Sequence, residues 1–538
     1  MRLRHSRVLA VASLGAIVAA WGAGAAGAAT DQTDASGPFG LTTTGLGKTG
    51  SYGEPSFAAA PDGNHLLIST PGCGGVCYWF SSDDGATWGA TKTTGSGGDS
   101  ELDFVPTPDG QITTMSADLA VKNSYINTSH DFGATWDNSV QTTAGIEQDR
   151  QWFAHSPDGK SEYLVYHDFV AEAEVYAKGT WNDTTKTFDW ATQDAAHPVN
   201  SPDQLAPPAA IGAKPGDAVS VLDQGANTYS GPMLIDPTDP NKMYVVYSIS
   251  DAGANASTSQ GVPPYGPVRS IAVASSSDGG TLWNNRYAVV SPQNPADPAS
   301  EASNGTMFPW GLIDQAGTIY VVFDSTSAHP GTNHYGFYYT YSKDQGQSWS
   351  TPVRLDNLDQ AAHGEGSVVF NTGAAVRPGV IDVAWLQKDT GDISTEAGPT
   401  EKWYPWFAQI DNADTADPTI VGAQQMTDEA NHIGGVCIQG ILCGIAPGSA
   451  DRSLADFFEL GVNPRTGMAE VAYAQNAGDR SGEGGQGEVV FAKQTIQPAL
   501  APTADLPEVP RAVLLPLAAL LMLATGAAVR RRRAGAVA

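Results

Sequence analysis

The stretch Ser81–Trp88 reads SSDDGATW, and three close copies of it follow along the chain. The copies are SHDFGATW at Ser129–Trp136, SSDGGTLW at Ser276–Trp283 and SKDQGQSW at Ser342–Trp349. All four fit the pattern S-x-D-x-G-x-x-W. An aspartate in a turn accepts bonds from backbone N–H groups, the glycine supplies positive φ, and the tryptophan buries a large apolar surface. We therefore interpret the repeated residues as structural turns: Asp83, Gly85, Trp88, Asp131, Gly133, Trp136, Asp278, Gly280, Trp283, Asp344, Gly346 and Trp349.

A second repeat consists of an apolar strand, a tight turn and another apolar strand. Three copies carry Pro-Asp-Gly in the turn, at residues 61–63, 108–110 and 157–159, and four further copies begin at Met233, Trp310, Val368 and Phe457. Such turn residues are typical of hairpins, and units of four strands around an axis form a β-propeller. The sequence thus predicts an all-β chain with a single seven-bladed propeller, six blades being the alternative. The segment Phe39–Gly45 resembles the outer strands of other units and is predicted to close the last blade.

The four aspartate turns resemble the Asp-box (BNR) repeats of the sialidase-like superfamily of β-propellers. The resemblance covers roughly residues 38–497 and implies the fold rather than one activity, because one fold hosts many functions. Propellers with such repeats include sialidases, other glycoside hydrolases, protein-sorting receptors and assembly factors.

Both ends of the chain indicate export and anchoring. Residues 1–29 have a basic start, an apolar core and a small-residue cleavage pattern, as in a secretory signal. Residues 512–529 form an uncharged run that can cross a bilayer, and the basic tail 530–538 would stay in the cytoplasm. Between them we predict a leader at 30–37, the propeller at 38–497 and a Pro/Ala-rich stalk at 498–511. The expected protein is a single-pass membrane protein with an extracellular propeller; the alternative for 512–529 is an apolar core helix.

The net charge and the cysteines restrict the kinds of ligand and cross-link that this chain is expected to have. The formal net charge of −29 argues against binding nucleic acid. Four cysteines suit disulfides in an exported protein, and three pairings are open among Cys73, Cys77, Cys437 and Cys443. No cofactor motif or zinc motif is present, and a structural calcium ion held by the oxygen atoms of an acidic loop is the alternative to a chain without metal. We expect no cofactor, no metal and a monomer.

A ligand site is predicted on the face that carries the loops entering the inner strands, since binding residues favour loops on rigid scaffolds. Polar residues lie at these positions: Glu54, Glu101, Asp149, Arg150, Tyr229, Asn304, His363, Glu365, Asp451 and Arg452. The sialidase resemblance implies three arginines that hold a substrate carboxylate, together with a tyrosine, a glutamate and an aspartate. The chain has no Arg-Ile-Pro motif for the first arginine. The candidate catalytic residues are Arg150, Arg269, Arg452, Asp149, Asp451 and Glu365. The alternative is that the Asp-Arg pairs bridge neighbouring blades.

Two functions follow as hypotheses. The first is a surface propeller that binds an extracellular glycan or a surface protein on its loop face, which needs no catalytic set. The alternative is a sialidase-like exo-glycosidase that acts on extracellular glycans, which needs converging arginines or a carboxylate pair. A scaffold without a ligand is the third hypothesis.

Overall fold

The polypeptide folds as a β-propeller. The computed structural model describes residues 31–33, 37–48, 53–72, 74–93, 98–120, 124–137, 140–141, 148–168, 173–190, 197–198, 213–219, 227–250, 267–292, 294, 296–297, 300–356, 366–393, 401–436, 438, 453–476 and 487–498. These residues contain no α-helix, and none of their elements is a helix that could span a membrane. The predicted signal and the predicted anchor at 512–529 lie outside the described residues.

The strands alternate with short turns throughout the described chain. In chain order they are β1 (Asp31–Thr33), β2 (Thr42–Lys48), β3 (Ser56–Ala59), β4 (Leu66–Pro71), β5 (Val76–Ser81), β6 (Gly89–Lys92), β7 (Ser100–Pro106), β8 (Ile112–Leu119), β9 (Ser124–Ser129), β10 (Val140–Gln141), β11 (Gln148–His155), β12 (Ser161–Asp168), β13 (Ala173–Asn182), β14 (Thr187–Trp190), β15 (His197–Pro198), β16 (Asn227–Ile235), β17 (Met243–Ser250), β18 (Val268–Ser276), β19 (Asn284–Val290), β20 (Trp310–Ile313), β21 (Ile319–Ser325), β22 (Gly336–Ser342), β23 (Val353–Arg354), β24 (Val368–Arg377), β25 (Val380–Lys388), β26 (Lys402–Asp411), β27 (Thr419–Gln425), β28 (His432–Ile433), β29 (Glu459–Val462), β30 (Ala469–Gln475) and β31 (Glu488–Lys493).

Seven antiparallel sheets form the blades. Blades one to six are β3–β6, β7–β10, β11–β15, β16–β19, β20–β23 and β24–β28, and blade seven has the order β29-β30-β31-β2-β1. The innermost strands β3, β7, β11, β16, β20, β24 and β29 contact one another in a closed ring. The prediction of seven blades is therefore confirmed.

The N-terminal segment closes the ring. Strand β2 pairs antiparallel with β31, with Thr42 opposite Lys493 and Thr44 opposite Phe491. Just before β2, Phe39 is fully buried and its ring lies edge-on to Phe407, with centroids 4.8 Å apart. The predicted closure by an N-terminal strand is confirmed, and it joins the two ends of the propeller in one sheet.

The aspartate turns connect the third and outer strands of their blades. In the first turn, Asp83 Oδ1 accepts a bond from the Thr87 backbone N–H at 2.8 Å, and Gly85 has a φ of 81°. Trp88 donates from Nε1 to the Gly85 carbonyl at 3.0 Å. Its ring lies 5.1 Å from that of Phe491 in blade seven. Each bond closes the turn locally, while the tryptophan fills the space between two blades.

Candidate functional site

A cavity of about 410 Å³ lies between blades four and five. Blade four contributes the start of β16, the end of β17 and the start of β18. Blade five contributes the segment before β20, the end of β21 and the segment before β22. These strand ends lie opposite the aspartate turns, so the cavity is on the loop face. Its lining is Tyr229, Ser248, Ser250, Pro267, Val268, Arg269, Glu301, Ser303, Gly305, Thr306, Met307, Thr326, Gly331, Thr332, Asn333, Tyr335 and Ile438.

Arg269 is the cationic residue of this lining. Arg269 is the second residue of β18. Its guanidinium Nη1 donates to the carbonyls of Glu301 and Ala302, both at 3.2 Å. Its Nε lies 3.6 Å from Glu301 Oε2, and both side chains are largely buried. The carboxylate of Glu301 therefore offsets the positive charge that Arg269 brings to the cavity.

Tyr335 lines the opposite side of the cavity, just before β22. Its backbone N–H donates to the Ser367 hydroxyl at 2.9 Å, which ties it to blade six. Burial raises the pKa of Tyr335 to about 12, with a hydrogen bond from Ser303 and the charge of Arg269 opposing this effect and the charge of Asp324 adding to it. A phenol with so high a pKa is protonated at neutral pH, so it acts as a hydrogen-bond partner.

Behind the cavity, Asp324 is a buried carboxyl group at the end of β21. Burial raises the pKa of Asp324 to about 6, although Thr306 and Asn371 donate hydrogen bonds that lower it. The Asn371 amide reaches it from blade six at 3.0 Å. This carboxyl group links the back of the cavity to the next blade.

Hydroxyl groups fix the rim of the cavity. The Thr326 hydroxyl accepts the Ser303 backbone N–H at 2.9 Å, and the Thr326 N–H donates to the Ser303 carbonyl at 2.8 Å. The Ser303 hydroxyl in turn accepts the Val268 N–H at 3.2 Å. The rim thus joins blades four and five through paired polar groups, so the cavity is preformed.

A second cluster lies on the innermost strands of blades one, two, three and seven. We call it the central brace and define it as Ser56, Glu101, Arg150 and Glu459. Arg150 Nη2 lies 2.8 Å from Glu101 Oε2 and 3.4 Å from Glu459 Oε1. The Ser56 hydroxyl lies 3.0 Å from Glu101 Oε2 and 2.8 Å from Glu459 Oε2. One guanidinium therefore holds carboxylates from two other blades.

Aromatic rings enclose the guanidinium of the central brace. Arg150 lies 3.8 Å from the ring centroid of Trp152 and 4.0 Å from that of Phe457. Its side chain is 1% exposed. Burial and then the negative charge of Glu459 raise the pKa of Glu101, and burial raises that of Glu459 against the effect of Arg150. The charge of Arg150 is engaged by protein carboxylates and is closed off from solvent.

The structure places two of the predicted arginines in separate clusters. Arg150 belongs to the central brace, and the backbone N–H of Arg150 donates to Asp149 Oδ1 at 3.1 Å. Arg269 lines the cavity beside Glu301. Arg452, Asp451 and Glu365 lie outside the described residues. The catalytic assignment of these six residues stays a prediction, and so does the alternative that Asp-Arg pairs bridge neighbouring blades. The observed bridges run from Arg150 to Glu101 in blade two and to Glu459 in blade seven.

Glu301, Tyr335 and Glu459 were not among the site residues predicted from the sequence. None of them belongs to a repeat or a motif. Glu101 and Tyr229 did stand out by their position before or within the inner strands, and this was the signal that located them on the loop face.

Of the cysteines, Cys77 on β5 is disulfide-bonded. Cys73, Cys437 and Cys443 lie outside the described residues, so the pairing stays a prediction.

No protein-family model matches this chain, and no curated protein sequence matches it. Among solved structures, a Penicillium chrysogenum alpha-L-arabinanase complexed with arabinobiose is similar, with 12% identity, a TM-score of 0.38 and coverage of 82% of this chain and 92% of that one. The polysaccharide lyase Uly1 is similar with 10% identity, a TM-score of 0.44 and coverage of 83% and 90%. A variant of the NanB sialidase from Streptococcus pneumoniae has 10% identity, a TM-score of 0.38 and coverage of 84% and 70%.

Proposed function

We propose that this protein binds a carbohydrate in the cavity between blades four and five. The observation that carries the proposal is the composition of the preformed lining. Two tyrosines, a methionine and a valine provide apolar surface, and six Ser and Thr residues and Asn333 provide short hydrogen-bonding groups around them. A sugar ring has the matching character, with apolar C–H faces and a rim of hydroxyl groups. The cavity volume of about 410 Å³ lies within the range of small-molecule sites.

The charges of the lining favour a neutral sugar. Arg269 is paired with Glu301, so an anionic sugar would have to compete with a carboxylate that is already in place. The chain as a whole carries a formal charge of −29, which repels anions at a distance. A neutral hydroxyl group can instead donate to Glu301 or accept from Arg269 without separating the pair.

Binding is favoured over hydrolysis by the chemistry of the same lining. Glu301 is the one carboxylate among the described residues that line the cavity, and glycoside hydrolysis typically uses two. The pKa of Tyr335, raised by burial to about 12, is the opposite of what an activated tyrosine nucleophile requires. The proposed setting is the cell exterior, with the propeller held at the membrane by residues 512–529.

The test is a substitution that fills the cavity. Gly305 lines it, and a Cβ at this position would meet Val268 at 3.5 Å or more, which is ordinary contact. Gly305→Leu therefore places a side chain in the cavity without straining the backbone. The matched control is Ala316→Leu, because Ala316 is an exposed residue of the β20–β21 turn on the opposite face of blade five.

The proteins are screened against an array of neutral and sialylated oligosaccharides, and hits are titrated by calorimetry. We expect a neutral glycan to bind, Gly305→Leu to weaken binding at least tenfold and Ala316→Leu to leave it unchanged. Equal binding by Gly305→Leu would place the site elsewhere. Turnover of fluorogenic glycosides by the unmodified protein would replace the binding proposal by hydrolysis.

A further inference from the structure

Blades two and three meet at a cluster of three metal-ligating side chains. Asp103 lies on β7, His155 ends β11 and Glu162 is the second residue of β12. One ligand atom from each lies within 4.8 Å of the other two. His155 and Glu162 are directly opposite each other in the β11–β12 pairing, so their side chains share one side of blade three. Asp103 meets them from the neighbouring innermost strand.

Hydrogen bonding accounts for only two of these three groups. His155 Nδ1 lies 2.7 Å from Asp103 Oδ2, a distance that satisfies this pair. Glu162 is fully buried, and neither of its carboxylate oxygens has a hydrogen-bond partner in the described structure. An isolated buried carboxylate is strongly unfavourable, and the nearby carboxylate of Asp103 adds repulsion. The group that reaches Glu162 is the Asp103 carboxyl group, another acid, so the charge of Glu162 is compensated only when the site takes up a proton or a cation.

We propose that Asp103, His155 and Glu162 bind a divalent transition-metal ion of the zinc type. A dication compensates both carboxylates at once, whereas a single proton would satisfy one oxygen. The imidazole nitrogen selects against calcium and magnesium, which prefer oxygen ligands, and zinc accepts nitrogen and carboxylate oxygen together. The side chains of His155 and Asp103 are 33% and 18% exposed, so solvent reaches the site and water can complete the coordination.

The ion would tie two blades together on the side away from the carbohydrate cavity. His155 and Glu162 flank the turn at residues 157–159, which lies on the same face as the aspartate turns. The metal would thus join β7 of blade two to the β11–β12 hairpin of blade three. Its role is structural, and it is independent of the function proposed above.

The experiment uses the full chain without an affinity tag, stripped with a chelator and titrated with Zn²⁺ by calorimetry. We expect one equivalent to bind, and Glu162→Gln, which keeps the shape of the side chain, to weaken binding at least tenfold. The control is Asp158→Asn, since Asp158 lies four residues from Glu162 and pairs with the exposed Lys160 instead. Co²⁺ should give visible absorption bands that Glu162→Gln and the partly exposed His155→Gln both lose.

Two outcomes would overturn the proposal. The first is absence of stoichiometric Zn²⁺ binding, with Glu162→Gln melting at or above the temperature of the metal-free parent; a proton on Glu162 would then be the compensating group. The second is Zn²⁺ affinity that is the same in the parent, Glu162→Gln and His155→Gln. If Glu162→Gln does not fold, His155→Gln decides between these outcomes, because its side chain is partly exposed.

Discussion

Replacing Arg150 with methionine measures how strongly the central brace ties the blades together. Methionine keeps much of the apolar stem between Trp152 and Phe457 but removes the guanidinium. Glu101 and Glu459 then remain buried without a cation. Breaking a buried ion pair by removing one partner costs about 3–5 kcal/mol. Unfolding entropy of about 2.1 cal/mol/K per residue gives roughly 1 kcal/mol/K for a domain of roughly 450 residues, so the melting temperature should fall by about 3–5 °C.

The pH dependence identifies the uncompensated carboxyl groups as the cause. Burial holds the pKa of Glu101 and of Glu459 above the usual 4.5, and without Arg150 the pKa of each rises further. Acids with a raised pKa bind protons more tightly in the folded protein, so the stability of the variant increases as pH falls from neutral toward 4.5. The deficit of Arg150→Met relative to the parent should therefore be largest at pH 7–8 and smaller at pH 5.

Calorimetric or urea unfolding of the parent and three variants tests this explanation. Adding Glu101→Gln and Glu459→Gln to Arg150→Met removes the buried charges and should recover most of the loss. The control Lys160→Met breaks an ion pair with Asp158 in which the two side chains are 67% and 43% exposed, and it should cost less than about 1 kcal/mol. Two results would refute this explanation: a cost of Arg150→Met no greater than that of Lys160→Met, or a deficit of Arg150→Met that is the same at pH 5 and pH 8.

Three further predictions concern the turns and the closure. Asp83→Ala should lower the free energy of unfolding in urea by about 1 kcal/mol. Hydrogen bonds, first from the Thr87 hydroxyl, lower the pKa of Asp83. The stabilisation by Asp83 is therefore complete above pH 3.8 and should vanish as the pH falls through the lowered pKa. In thermal unfolding, Gly159→Ala should lower the melting temperature more than Gly110→Ala. The φ angle is positive at both turns, but only a Cβ at position 159 would meet a carbonyl of the neighbouring blade, at 1.9 Å. Equal losses in the two variants would contradict the clash. Phe39→Ala should cost about 3–5 kcal/mol by the same measurement, and a loss below about 1 kcal/mol would show that the closure does not depend on this ring.

The repeats could be predicted from the sequence because their causes are local. Within Ser81–Trp88 the aspartate bonds a backbone N–H four residues away, and the glycine has the positive φ that its position requires. Closure of the ring by Phe39–Gly45 could be predicted because this segment has the residue pattern of the outer strands of other blades. In the structure it occupies the corresponding position of blade seven, next to β31. Even the third unit, which lacks the full aspartate turn, forms its β13–β14 hairpin from strand-forming residues around Asn182.

The all-β class, the preference for seven blades and the face that carries the loops could thus be predicted from the sequence, since the turns and hairpins behind them join residues close together in the chain. Which polar groups lie together depends instead on how the blades pack in the folded protein. Arg150 meets Glu101 across 49 residues and Glu459 across 309, and Asp103 meets His155 across 52. These encounters arise when the blades close into a ring, because closure brings innermost strands side by side whatever their separation in the chain. No spacing or motif in the sequence indicates such neighbours. The partners in these long-range pairs are therefore visible only in the folded ring.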